Sequence, residues 1–318
     1  MKVAFWNCAG TGNLGDDLCH LGAVEYIKRY FRGAPIEAHH LFRLNEKAIK
    51  EVNESDYLVI GGGQLLDRTD FLEQLVRAKI KVPYMFVGVG VGSVNDIMPF
   101  RDKVKPKFWH VRDRFSASVL RECDVKGEIQ EGTDVSVYLG MRACGAEGTR
   151  HAGINLKNIH KDRNFIEGLS DELERVIDPV ALLAFNSTPR MRVNVDGEQV
   201  WISDCDDSWL MRQIKREASD DYEVSTISYV ACSDDPLKWV KWMGHLDYMI
   251  CERYHAVVLA HQFGIPYKAI NYHGKVARFL SDVGQQSRII GSSPEEIVDG
   301  LLELRAEAKM IREREEKT

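Results

Sequence analysis

No run of apolar side chains in this chain approaches the roughly 20 residues that a bilayer-spanning helix needs, so a helical membrane span is not expected. Met1-Lys2-Val3 leads straight into a strand pattern rather than a secretion signal, and a cytoplasmic protein is the expectation. Positive charge is in short supply: 42 Lys and Arg stand against 48 Asp and Glu, a formal net charge of -6. A molecule of that balance repels a polyanion, so nucleic acid is not an expected partner. Paired cysteines are missing too. The seven cysteines (Cys8, Cys19, Cys123, Cys144, Cys205, Cys232 and Cys251) are odd in number and scattered, with no Cys-x-x-Cys to make a zinc or dithiol site. They are expected to be reduced and partly buried. His39-His40, His151, His160 and His261 lack metal-ligand partners at suggestive spacing, so no metal site is expected. Long biased tracts are absent, which excludes an extended disordered segment.

What is present is an ordinary globular composition, 44% hydrophobic and 28% charged over 318 residues, more than one compact core usually organises. The first half alternates short apolar runs with helical spacing, the pattern of a parallel sheet covered by helices. Val3 to Trp6, Tyr57 to Ile60, Tyr84 to Val89 and Trp109 to Val111 read as strands; Leu18 to Phe31, Phe71 to Lys79 and Ser116 to Glu122 read as helices. A Gly-rich polar stretch, Cys144 to Arg150, marks the border, so the expected domains are 1-148 and 149-318. In the second, Gly153 to Asn155, Val180 to Phe185, Glu223 to Tyr229, Tyr248 to Cys251 and Tyr267 to Ile270 read as strands. Asp196-Gly197 between alternating residues reads as the turn of a hairpin over Arg190 to Ile202. Helices are expected over Pro236 to Met243, Ala256 to Phe263 and Val276 to Val283. A last helix starts at the Ser293-Pro294 cap, its charged end from Ile311 onward is expected to fray, and it packs either in its own domain or back on the first. The fold class is α/β.

Several segments at strand ends have the residue types of an anion or sugar site. Asn7 to Asp17 joins the first strand to the first helix with three glycines, which let backbone approach a ligand; a tight strand-to-helix turn explains them about as well. It is neither the dinucleotide fingerprint nor a Walker loop. Gly61-Gly62-Gly63 reads as a loop at the carboxyl end of its strand, and Gly88, Gly90 and Gly92 as a third, where open α/β sheets gather ligands. The alternative for these glycines is close packing of sheet against helix. Arg112 ends another strand and suits a carboxylate or phosphate, or else a salt bridge to Asp113, with Arg114 as a rival. Arg253 and His255 stand where a strand meets a helix, and Lys275 opens the helix after the next strand. Neighbouring βα turns bring guanidinium, imidazole and ammonium toward one anion.

Five features, spread from Asn13 to Gly284, resemble the polysaccharide pyruvyl transferase family. They are Asn13-x-Gly15-Asp16, Gly61-Gly62-Gly63, Val111-Arg112-Asp113 with Ser116, Gly132-Thr133-Asp134, and Arg253-Tyr254-His255 followed by Pro266 and Tyr272 to Lys275. Tyr254 stands where the family usually has leucine, and Glu252 where it has a small residue. The resemblance implies two Rossmann-like domains facing across a cleft, as in GT-B glycosyltransferases, the first being the acceptor side and the second carrying the donor motif. It implies transfer of the enolpyruvyl group of phosphoenolpyruvate onto a sugar as a pyruvate ketal, with loss of phosphate. Arg112, Arg253 and Lys275 would neutralise the donor, and His255 would protonate its methylene carbon. Asn13, Gly15, Asp16, Gly62, Gly63, Asp134, Tyr254 and Tyr272 complete the implied substrate-binding set. Asp16 or Asp134 would take the hydroxyl proton, although an Asp after a strand equally caps a helix. Neither a nucleotide cofactor nor a metal is expected. A lipid-linked glycan precursor as acceptor would bring the enzyme to the inner face of a membrane as a peripheral protein. Two other readings fit the same scaffold, a glycosyltransferase using a nucleotide sugar and a catalytically silent glycan-binding relative.

Overall fold

The computed structural model describes residues 1–66, 69–141, 151–158, 161–187, 191–195, 198–202, 206–219, 222–229 and 235–315, with backbone alone over the hairpin strands. The chain divides into two compact units, Met1–Thr11 with Gly15–Gly140, and Gly12–Leu14 with Met141–Thr318. The expected border at 148/149, the Cys144 to Arg150 stretch, and Cys205, Cys232 and His160 lie outside the described residues.

The first unit runs β1 (Lys2–Trp6), α1 (Leu14–Tyr30), β2 (Glu37–Leu41), α2 (Glu46–Asn53), β3 (Tyr57–Leu66), α3 (Asp70–Ala78), β4 (Tyr84–Val91), α4 (Val94–Ile97), β5 (Phe108–Val111), α5 (Arg114–Glu122) and β6 (Glu128–Glu131). Its sheet has the order β2-β1-β3-β4-β5-β6 and every pair is parallel. Side chains alternate across a strand with a period of two, so both faces of a parallel sheet must be apolar. Ala4, Trp6, Leu58, Ile60 and Phe86 accordingly join one core with Val52, Leu72 and Leu120, from α2, α3 and α5. Val3, Phe5, Val59, Met85 and Val87 point the other way and pack with Cys19, Ala23 and Ile27 of α1.

Two expectations need correction here. Gly61, Gly62 and Gly63 are not a loop but the middle of β3, and Gly88 and Gly90 lie inside β4. The reason is the space between strands: a Cβ on Gly61 would sit 2.1 Å from the Val87 carbonyl oxygen, and one on Gly62 would sit 2.5 Å from Cys19 Cβ. Gly62 and Gly63 also hold φ of +86° and +92°, and the β3–β4 register shifts between Gly63 and Leu66, so the strand bulges without ending. The second correction concerns α1, which begins at Leu14, placing Gly15, Asp16 and Asp17 in its first turn rather than in the preceding connection.

The second unit runs β7 (Ala152–Asn155), α6 (Arg163–Leu173), β8 (Val180–Ala184), β9 (Met191–Val195), β10 (Glu198–Ile202), α7 (Asp207–Glu217), β11 (Val224–Ser228), α8 (Pro236–Met243), β12 (Tyr248–Cys251), α9 (Tyr254–Phe263), β13 (Tyr267–Ile270), α10 (Gly274–Asp282), β14 (Ile289–Ile290) and α11 (Pro294–Glu315). Strands β9 and β10 are antiparallel, as the hairpin reading expects; its turn, 196–197, lies outside the described residues. The larger sheet is parallel in the order β11-β8-β7-β12-β13-β14. One face is sealed by Ile166 and Leu169 of α6, Leu210 and Ile214 of α7, and Ile297 and Leu301 of α11 against Ile154, Leu182 and Ile250. Helix α11 thus packs on the sheet of its own unit, and it is helical as far as Glu315. Its start is a capping box: Glu296 N donates to Ser293 Oγ and Ser293 N to Glu296 Oε2.

The order of this sheet reverses at β7. The chain moves from β7 to β8 and β11 on one side, then returns to β12 on the other. The carboxyl ends of β7 and β12 therefore flank a topological switch point, where adjoining loops part and open α/β sheets leave room for ligands.

Candidate functional site

In the second unit, the residue types expected for anion binding follow the carboxyl ends of neighbouring strands. Arg253 is the cap residue of α9, one residue beyond Glu252 and the end of β12. Its backbone N–H donates to Asn155 Oδ1 at 3.0 Å, fixing the end of β12 against the end of β7. Its guanidinium is half-sequestered: Nε donates to Asp207 Oδ2 at 2.9 Å and Nη2 to Asp207 Oδ1 at 2.6 Å. Asp207, at the first position of α7, is fully buried and also accepts from the backbone N–H groups of Asn158 and Asn186 at 3.2 Å. Burial pushes its carboxyl above the usual range, against the opposing pull of Arg253 and the two backbone donors. Four N–H groups converging on two oxygens are matched only by the carboxylate. A bidentate contact of this kind fixes the plane of the guanidinium and leaves its other edge a fixed direction.

His255 is the second residue of α9, part-buried, its ring edge-on to Tyr254 at 5.1 Å between centroids. Tyr254 itself is only 3% exposed and packs edge-on against Phe279 of α10. Lys275, in the first turn of α10, holds its Nζ 5.5 Å from the Tyr272 ring centroid and 5.7 Å from that of Tyr254. The cap of α10 is His273, whose Nδ1 accepts from Lys275 N at 3.4 Å. Tyr254, Tyr272, His255 and Lys275 thus form one contiguous group. Asn13 lies in the stretch joined to this unit, in an isolated antiparallel bridge with Asn186.

In the first unit, Arg112 is 3% exposed. Its Nε lies 3.4 Å from Asp113 Oδ2, and its Nη2 donates to Gln64 Oε1. Both side chains cross β4 above Gly90, where a Cβ would come within 2.7 Å of Arg112 Nε and Nη2 and of Gln64 Oε1. That glycine keeps the place of the pair. Among the described residues Gln64 Nε2 has no hydrogen-bond partner, a buried donor beside a cation. Asp113 caps α5 by accepting from Ser116 N at 2.7 Å, and Ser116 Oγ accepts from Val91 N at 2.9 Å. The Val-Arg-Asp motif with its serine is therefore a clamp that fixes where Arg112 leaves β5.

Asp134, fully buried, accepts from Ser136 N at 3.0 Å and Ser136 Oγ at 2.7 Å, capping the 3-10 turn Val135–Leu139. Gly132 before it leaves room for His110, whose Nε2 would lie 2.3 Å from a Cβ there. Asp16 and Gly63 face one another across α1 and β3, since a Cβ on Gly63 would lie 3.5 Å from Asp16 Oδ1. Gly62 lies against α1 at Cys19, a position set by close packing, and Gly15 stands in the first turn of that helix.

Sequence reasoning missed Asp207, Gln64 and Lys157. Lys157 lies two residues beyond β7, with its Nζ 4.6 Å from the Tyr272 ring centroid. Only its position after a strand signalled it. Asp207 stands 46 residues before its partner Arg253, with no periodicity to connect them.

The family model of polysaccharide pyruvyl transferases matches residues 13–274. No curated protein sequence matches the chain. Among solved structures, a ugt transferase from Siraitia grosvenorii in complex with UDP is similar at a TM-score of 0.53 and 10% identity, over 99% of this chain and 94% of that one. An uncharacterised protein from Klebsiella pneumoniae is similar at a TM-score of 0.51 and 10% identity, over 92% and 93% of the two chains. At such identities the likeness is one of fold, the two parallel α/β sheets of GT-B glycosyltransferases. The family match spans most of the sequence and strands of both sheets, and it takes in Asn13, Arg112, Arg253 and His255. The chain belongs to the polysaccharide pyruvyl transferase family.

Proposed function

We propose that this protein transfers the enolpyruvyl group of phosphoenolpyruvate to a sugar of a polysaccharide or lipid-linked glycan precursor, forming a pyruvate ketal and releasing phosphate. The observation that carries the reading is the group at the carboxyl edge of β12 and β13. Arg253 is oriented by a buried carboxylate, His255 lies two residues on, and Lys275 stands over Tyr272. A small trianion needs such a set, because isolated charges are expensive to hold away from water unless met by fixed opposite charge.

In the proposed reaction Arg253 and Lys275 meet the phosphate and carboxylate of the donor, with Arg112 as a further cation of the reaction. His255 as imidazolium gives a proton to the methylene carbon, and the central carbon acquires oxocarbenium character. A sugar hydroxyl adds to that carbon and loses its proton. The C–O bond to phosphate breaks, and a second hydroxyl closes the ring. One carbon proton is gained and two hydroxyl protons are lost, one of which leaves on hydrogen phosphate. Asp16 and Asp134 remain the proposed proton acceptors. Asp134 accepts two hydrogen bonds from Ser136, and Asp16 faces Gly63 from the first turn of α1. Gln64 Nε2, buried beside Arg112 with no hydrogen-bond partner among the described residues, supports a ligand oxygen at that point of the first unit.

A nucleotide-sugar glycosyltransferase is the second reading, supported by the fold likeness to a UDP-bound transferase. Phosphate release from phosphoenolpyruvate, followed with and without a panel of bacterial glycans, separates the two. Acceptor-dependent release that falls at least 100-fold in His255→Ala, the scale of a lost general acid, supports the proposal. Release unchanged in that variant removes the assigned proton donor. Turnover of uridine diphosphate sugar with phosphoenolpyruvate untouched supports the second reading. Turnover of neither supports a silent glycan-binding relative.

A further inference from the structure

Glu252 follows β12 directly, and its surroundings show what it does. The side chain is buried, 4% exposed, directly after β12. Its Oε2 accepts from the backbone N–H of Lys157 at 2.7 Å, and its Oε1 lies 3.6 Å from Lys161 Nζ, in an ion pair whose side chains are 6% and 7% exposed. Burial pushes the Glu252 carboxyl up while Lys161 and the Lys157 N–H pull it down. One carboxylate therefore ties the segment after β7 to the end of β12, on either side of the switch point in the sheet.

The consequence falls on Lys157. Fixed at its own backbone by Glu252, it carries its ammonium to 4.6 Å from the Tyr272 centroid, while Lys275 approaches the same ring to 5.5 Å. The two ammonium groups thus meet at one tyrosine, and an anion beside that ring is attracted by both. With Arg253 on β12, three adjacent strands of the sheet, β7, β12 and β13, then each deliver one cation beyond their carboxyl ends. The sequence motif accounts for two of those three.

We infer that Lys157, held in place by Glu252, is a third cation of the anion-binding site, pairing with Lys275 across Tyr272 to grip the phosphate end of the ligand. This rests on the proposed donor being phosphoenolpyruvate, but the phosphate-binding role of Lys157 can be judged apart from it. Lys157→Met keeps the aliphatic stem and removes the charge. Lys157→Arg keeps the charge. Glu252→Gln loosens the tie while leaving Lys157 itself intact.

Calorimetric titration of the full chain with phosphoenolpyruvate is the test, with thermal unfolding recorded for each variant. The expected result is a loss of affinity of about tenfold or more in Lys157→Met, the scale of one charge-assisted hydrogen bond. Lys157→Arg should stay within about threefold and Glu252→Gln should fall between. A lower salt sensitivity of binding in Lys157→Met distinguishes a lost charge contact from loosened packing. Unchanged affinity in Lys157→Met, with affinity lost in Lys275→Met, overturns the inference and leaves the donor assignment standing. If the wild type does not bind phosphoenolpyruvate, the donor assignment falls, and the same variants titrated with uridine diphosphate decide the lysine. A tenfold loss there sustains its phosphate role, and no loss removes it.

Discussion

Two side-chain arrangements set what individual residues can do. The first is Arg253 with Asp207. Neither partner can be removed cleanly, because each would leave the other charged and enclosed. Asp207→Asn is expected to lower the unfolding free energy by about 3 kcal/mol in urea titrations, the scale for a buried pair that loses one charge. With phosphoenolpyruvate as the proposed donor, it should also raise the KM for that donor as the Arg253 plane loosens. Arg253→Lys should be just as damaging to binding, since an ammonium cannot span both oxygens. The second arrangement is His110, 3% exposed, whose Nδ1 accepts from Gly88 N at 3.1 Å and so must be unprotonated. Burial, opposed by a weaker backbone hydrogen bond and Asp134, pushes its pKa from the ordinary 6.5 down to about 4. Between those values the unfolded chain binds the proton and the folded one does not, so stability is complete above about pH 6.5 and declines as pH falls toward 4. The loss approaches about 3 kcal/mol at its fullest. His20, lowered to about 4 by burial and by His40, adds a slope of the same sign. His110→Asn, which retains an acceptor for Gly88, should show a shallower pH dependence in denaturant titrations at pH 7 and pH 5.

At the scale of elements, glycine decides whether β3 and β4 exist as continuous strands. Gly61→Ala brings a Cβ to 2.1 Å from backbone oxygen, which neither strand can relieve without parting, and a loss of more than about 3 kcal/mol is expected. Gly10→Ala meets nothing within 4 Å and should cost only its φ of +79°, about 1 kcal/mol. Thermal unfolding of the two variants separates packing from backbone strain. Gly90→Ala should act differently again, keeping the strands but displacing Arg112 and Gln64, so that activity falls more than stability does. These glycines mislead a reader of the sequence because glycine signals a turn wherever its reason is out of sight. Here the reason is a neighbouring strand or helix too close for a Cβ. Strands β12 and β13 and helix α8 were legible to the residue, since continuous apolar runs and a Pro start bound them. Strand β2, Glu37–Leu41, was not: it is a polar edge strand whose alternation is masked by His39-His40. Helix α2 is short and charged, and α7 follows directly on the hairpin region, so neither offered a long periodic signal.

For the whole molecule, the βα rhythm in each half specifies a parallel sheet with both faces covered, and the sequence carries that rhythm openly. The candidate site was legible only in part. Arg253, His255 and Lys275 stand out because they lie in the βα turns and helix starts that follow apolar strands. Asp207, Glu252 as a tie, Lys157 and Gln64 acquire meaning only when the sheet brings distant segments together. No helix among the described residues is long and apolar enough to cross a membrane. The most direct test of enolpyruvyl transfer is phosphorus NMR of phosphoenolpyruvate incubated with the protein and a panel of glycans in deuterated water. The account predicts that the donor resonance gives way to inorganic phosphate only when a suitable glycan is present, and that the ketal methyl group of the product carries deuterium. A donor resonance that persists with every glycan, while a uridine diphosphate sugar is consumed, would contradict it.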